Sequence, residues 1–343
     1  MKHPQPTKYL NDFLAYYQRA KLLEDRNHHN GRQKSCGDPL QDNVTIYDTV
    51  HRRYAGFSNV LRDLHDGRKA KGLGISTAKW GLAEWLYIYG VHRFTGSGAS
   101  FYPVSMGEKR HGYCNSRIFE VARFNSINEM ARELARCMED SGEPCFTSLG
   151  NQPPPFPKPM GDYGTGGAYW LCEEWPPFAK DVAEMLEGIA SQDQPSVASM
   201  TDWMLEDNVR RGFKRFKFTM TALIMDIADW HPEFISPLSQ CHYGANCITA
   251  FNAMFSSDNK TKGKGFYHEC MDQLAPLCSE ILGHEAAPMD IEDCACDAVR
   301  YWMRFVPRHG YDHLKPAERK SLSKIKQQDF MNFCGIPNIE VSI

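Results

Sequence analysis

SQCHYGANCITAFNAMF, residues 239–255, reads as two short helical runs pinched around Tyr243-Gly244-Ala245-Asn246. Upstream, His231-Pro232 ends a helix, because the residue before proline is pushed out of the α region. A short helix over 236–242 is expected to meet Gly244, and a second to begin near Asn246. Two readings of the turn compete. It is a simple helix cap, or it presents the first N–H groups of the second helix to an anion such as phosphate.

Helical periodicity runs outward from this turn in both directions. Apolar residues recur at 3–4 spacing over 7–25 and 44–64, and a helix through 77–92 has Ser76-Thr77 as its cap. Another opens at Ser126 or Asn128 and runs to 137. More are expected at 178–190, 200–211, 213–230, 266–282, 291–305 and 316–327. Strand signals are few: SRIFEVARF at 116–124 alternates, and GGAYWLC at 166–172 is a second candidate. The fold class is therefore mainly α with few short strands, and the absence of βαβ spacing argues against a doubly wound sheet. GNQPPPFPKPMGDYGTGG, 150–167, holds five prolines and five glycines and cannot be helix. It suggests an N-terminal helical region over 1–150, a Pro/Gly-rich loop over 151–177 and a C-terminal helical region over 178–343, together one catalytic unit.

Composition excludes several classes. The 343 residues are 42% hydrophobic and 24% charged, with no apolar run approaching the ~20 residues of a membrane span. The start, MKHPQPTKYLNDF, lacks the apolar core of a signal peptide, so a cytoplasmic protein with reduced thiols is expected from its twelve scattered cysteines. Zinc spacing is absent, and Cys294-Ala-Cys296 diverges on a helix, so no metal-ligand set is read. Walker, nucleophile-elbow, HExxH and Rossmann signatures are also missing. Net charge is −3, yet cations bunch in NVRRGFKRFKF (208–218), in DNKTKGKG with Lys260, Lys262 and Lys264, and in the tail from Lys315 to Lys326. Each bunch reads as a solvated face or as a polyanion-binding patch.

Two helical segments carry polar residues suited to chemistry. In RRYAGFSNVLRDLHDGRK, 52–69, Phe57, Val60, Leu61 and Leu64 would face a core, beside Asn59, Arg62 and Asp63, with Arg52 and Arg53 a turn or two earlier. Arginine grips phosphate bidentately and asparagine reads base edges. In APMDIEDCACDAVRYWMRF, 287–305, Glu292, Cys296 and Val299 share one face, and Asp293, Asp297, Arg300 and Arg304 the next. Such acids form salt bridges, or a general base beside an anion clamp.

At these blocks the chain resembles the α-glutamyl/putrescinyl thymine pyrophosphorylases, the amino acid:DNA transferases of phages with hypermodified thymine and of fungal relatives. The resemblance rests on Asp38-Pro39 followed by Phe57-Ser58-Asn59-Val60-Leu61-Arg62, on Arg93, on the turn at Tyr243-Gly244-Ala245-Asn246, and on Glu292 through Tyr301. The turn lacks the family's second glycine, Arg300 replaces a lysine and Asp297 a glutamate. The turn also looks like the helix-hairpin-helix of DNA glycosylases, which implies a glycosylase-like architecture acting on a flipped base.

The resemblance implies replacement of the pyrophosphate of 5-(pyrophosphoryloxymethyl)uracil in double-stranded DNA by a small amine, an amino acid or a polyamine such as putrescine. Arg62 and Arg93, with Arg53, would clamp the pyrophosphate, and Mg²⁺ is a candidate partner for it. Asn59 and Asp63 would bind the substrate. Glu292 or Asp297 would be base or amine anchor, with Arg300 holding it and Tyr301 or Tyr243 stacking on the base. Tyr243, Gly244, Ala245 and the lysines 260, 262 and 264 would contact DNA. A glycosylase that removes a modified base and a non-catalytic reader of modified DNA are the competing classes.

Overall fold

The expected helical periodicity is realised in the computed structural model, which describes residues 3–30, 49–55, 58–66, 73–94, 114–141, 158–189, 193–213, 216–256 and 263–305. The protein is mainly helical. Among the described residues its one sheet is a two-residue antiparallel pair, with Gln5 opposite Ser256 and Pro6 opposite Phe255. No helix among them is long and apolar enough to cross a membrane.

Met1–Ala55 and His242–Ile343 make one compact unit, and Gly56–Cys241 makes a second. In the first unit the helices Lys8–Asn30, Ala245–Met254, Lys264–Leu282 and Pro288–Phe305 share a core of Phe13, Tyr17, Val50, Phe251, Leu274 and Val299. Gly283, at φ 79°, closes the third of these helices in the left-handed conformation that glycine adopts most cheaply.

In the second unit the helices Leu82–Phe94, Trp175–Gly188 and Lys217–Trp230 bury Tyr87, Tyr89, Phe94, Trp175, Phe178 and Ile224. Gly90 permits the closest approach. A Cβ there would lie 2.1 Å from Trp175 Nε1, and that indole N–H donates to the Tyr87 carbonyl at 3.2 Å.

Several expectations are corrected. Residues 116–124 are not a strand, since Cys114–Val121 is a helix that packs on the helix Ile127–Ser141. GGAYWLC is helical too: Thr165 caps Gly166–Tyr169 through Ala168 N–H at 3.2 Å, and a π turn follows at Trp170–Glu174. Pro176 and Pro177, which have no N–H to continue the α ladder, lie directly after that widened turn. The 44–64 helix is broken. Glu24 takes the backbone N–H groups of Val50 (3.0 Å) and His51 (2.9 Å) out of any ladder, leaving a 3₁₀ turn at Arg52–Tyr54 and a short helix at Asn59–His65. Residues 236–242 form turns, not a helix. Their polar groups serve a neighbour: Ser239 Oγ accepts from Val197 N–H at 2.9 Å and the Gln240 carbonyl from Ala198 N–H at 2.8 Å, at the start of the helix Val197–Arg210. Of the expected helical hairpin, only the second helix is present among the described residues. The expected helix at 316–327 lies outside them.

Candidate functional site

The first unit concentrates acids at the start of the helix Pro288–Phe305. Asp290 and Glu292 are both buried, as is Arg52 on the 3₁₀ turn beside them. The Arg52 backbone N–H donates to Asp290 at 2.9 Å, and its guanidinium lies 3.4 Å from Asp293. Glu292 Oε1 accepts from the Gly244 N–H at 2.9 Å and from the Cys296 thiol at 3.3 Å.

Burial sets the electrostatics. It pushes Glu292 up to about 7, helped by the charge of Asp293 and opposed by the Gly244 amide, Arg52 and the Cys296 thiol. Burial likewise raises Asp290 to about 6 against the pull of the Arg52 amide. The Cys296 thiol is driven well above its ordinary range, first by burial and then by Glu292. A carboxyl group that titrates near neutrality can accept a proton from an amine or release one to a leaving group.

Gly244 is thus the N-cap of Ala245–Met254, as the helix-terminus reading expected, but its amide is bound to the protein's own carboxylate. That occupancy opposes a DNA phosphate at the same N–H group. Tyr243 packs edge-on against Phe251, with its hydroxyl 3.1 Å from His268 Nδ1. Ala245 and Lys264 are exposed, while Lys260 and Lys262 lie outside the described residues. Arg53 is exposed, with its guanidinium 5.2 Å from the Tyr54 ring centre. Asp297 is half-buried, and Arg300 and Tyr301 continue the helix.

The second unit holds Asn59, Arg62, Asp63 and Arg93. Asn59 opens the helix Asn59–His65, on which Arg62 and Asp63 are half-buried. Val60, Leu61 and Leu64 are fully buried, as expected, while Phe57 lies outside the described residues. Arg93, expected in the clamp, is paired inside the fold. It is buried in a two-pronged ion pair in which Nε and Nη2 each donate to one oxygen of Asp226, itself fully buried. A guanidinium held this way is a brace inside the fold.

Sequence reading missed the aromatic column on the same short helix. His65 lies between two indoles, 3.7 Å from Trp85 and 4.3 Å from Trp230 by ring centres, nearly parallel to both. Its Nε2 meets the Tyr89 hydroxyl at 2.8 Å, and His231 approaches at 5.8 Å. Burial, then His231, push His65 down to about 3, so the ring is neutral at physiological pH. Burial lowers His231 as well, against the pull of Glu233. The only sequence signals were that His65 ends the Asn59 block and that His231 precedes a proline.

Two other features lose functional weight. In NVRRGFKRFKF, Arg210 and Arg211 both pair with Asp207, at 2.8 and 2.7 Å. Glu120, Glu133 and Cys137 place possible metal ligands within 4.8 Å of one another, but the Arg136 guanidinium already sits on both acids. Comparison with protein-family models, curated proteins and solved structures finds no match for this chain.

Proposed function

We propose that this protein is a DNA-modifying transferase that displaces pyrophosphate from 5-(pyrophosphoryloxymethyl)uracil with an amine, from an amino acid or a polyamine. The observation that carries this reading is Glu292: a buried carboxyl group with a pKa of about 7, gripped by the Gly244 amide and the Cys296 thiol on the helix whose sequence carries the resemblance. An incoming ammonium must lose a proton before it attacks carbon. A base that is about half ionised near pH 7 can take that proton at neutral pH. Arg52 supplies the cation beside these acids, while Arg93 is paired with Asp226. Glycosylase-like extrusion of the base belongs to this proposal, as does Mg²⁺ on the departing pyrophosphate.

The reaction is tested with duplex DNA that carries the pyrophosphorylated base, incubated with putrescine or with glutamate. Pyrophosphate release and an amine-bearing nucleoside in the mass spectrum are expected from the wild type and not from Glu292→Gln. Alkali-labile abasic sites would move the assignment to base excision, for which the same acid would activate water. Salt-sensitive binding without turnover would leave a reader of modified DNA.

A further inference from the structure

Glu24, His51 and His284, all in the first unit, meet far from one another in sequence. Glu24 is buried and accepts three hydrogens: those of the Val50 and His51 backbone amides, and that of His51 Nδ1 at 2.6 Å. A carboxylate only accepts, so this last contact puts the proton of the neutral His51 ring on Nδ1. His51 Nε2 is then a bare lone pair, and it points at His284 Nε2, 3.2 Å away. His284 is constrained in the same way. Its Nδ1 lies 3.4 Å from the Leu282 carbonyl, which also only accepts, a contact that favours the proton on Nδ1.

Two lone pairs facing each other at this distance repel unless something electrophilic lies between them. The spacing suits a metal ion. Two imidazole nitrogens bound to one zinc ion at about 2.05 Å and a tetrahedral angle are separated by about 3.3 Å. A carboxylate on the far nitrogen of a ligating histidine is the usual device for fixing its tautomer and raising its basicity.

We infer that His51 Nε2 and His284 Nε2 are ligands to one divalent transition-metal ion of the zinc class, with Glu24 as the positioning carboxylate and water at the remaining positions. His284 is exposed, so the ion has an open side toward solvent and can polarise an oxygen anion there. This assignment does not depend on the proposed transferase reaction.

The test uses the full chain, freed of metal by dialysis and kept reduced, with its histidine rings followed by ¹⁵N NMR during addition of Zn²⁺. The Nε2 resonances of His51 and His284 are expected to shift together at one equivalent while both Nδ1 sites stay protonated. His284→Ala, at an exposed position, is expected to abolish the His51 shift and weaken Zn²⁺ binding at this site at least about tenfold; Glu24→Gln should weaken it by about 10–100-fold. Resonances that do not respond to Zn²⁺, or a proton shared between the two rings that Zn²⁺ does not displace, would overturn the assignment. So would a His284→Ala variant whose His51 signal still shifts as in the wild type.

Discussion

The two units bury charge in opposite ways. In Gly56–Cys241, a buried arginine is paired with a buried aspartate, and the half-buried His65 is kept neutral between two indoles. In the unit formed by the two ends of the chain, Asp290 and Glu292 are buried beside Arg52, and both titrate far above their ordinary range. Compensated charge holds a fold in place. Uncompensated acid raises the carboxyl pKa toward the pH of the surroundings, which is what proton-transfer chemistry needs. The contrast assigns the brace to one unit and the candidate chemistry to the other.

The largest expected effect tests the brace. Asp226→Ala removes the buried carboxylate to which two Arg93 nitrogens donate and should cost about 3–5 kcal/mol, whereas Arg93→Met with Asp226→Leu should return close to wild-type stability. Chemical denaturation measures both. The double variant should also keep transferase activity. A folded double variant without activity would restore Arg93 to the clamp and erase the contrast.

The next effect is a difference of sign. Glu292 is raised from an ordinary 4.5 to about 7, so the folded unit holds its proton over a range where the unfolded chain has lost it. Its contribution is complete below pH 4.5 and is lost as pH rises to 7, a loss of about 3 kcal/mol at 1.36 kcal/mol per pH unit. His65 runs the other way. Its pKa falls from 6.5 to about 3, so the unfolded chain takes up a proton that the folded one refuses, and stability is lost as pH falls below 6.5. Between pH 4.5 and 6.5, acid should therefore strengthen the terminal unit through Glu292 and weaken the central one through His65. Hydrogen exchange read separately over 245–305 and 59–230 should show the two slopes, with Glu292→Gln making the first shallower, Asp290 keeping the remainder, and His65→Phe making the second shallower. Equal slopes would remove the electrostatic distinction between the units.

A smaller effect isolates the column's hydrogen bond. Tyr89→Phe keeps the ring but removes the hydroxyl at His65 Nε2, at a cost of about 1 kcal/mol. Its thermal midpoint should drop modestly with no change in transferase activity.

What the sequence disclosed follows from the range of each signal. Helices with long apolar stripes, such as Trp175–Gly188 and Pro288–Phe305, were legible because 3.6-residue periodicity is local. The 236–242 segment was misread because its form is set by what it hydrogen-bonds, the start of the 197–210 helix some 40 positions away. The same limit applies to the site. Glu292 was readable from its face of the helix, but its neutral-range pKa comes from burial and from partners on other segments, Gly244 and Arg52. Arg93 looked like a clamp because nothing near it in sequence predicts Asp226. His65 gave no sign of its two indoles, which come from separate helices.

The finest test concerns how the terminal unit tunes its own acid. The Cys296 thiol donates to Glu292 and so favours the ionised carboxylate, partly countering the effect of burial. Cys296→Ala removes that donor and should raise the Glu292 pKa further, by less than about one unit, since one neutral hydrogen bond is worth roughly 1 kcal/mol. Cys296→Ser substitutes a stronger donor and should lower it. ¹³C NMR of the Glu292 carboxyl group reads both shifts directly, and the rising limb of the pH–rate profile should move with them. A cysteine that merely fills space would give the two variants the same carboxyl pKa, so opposite displacements would identify Cys296 as a positioning residue acting through Glu292.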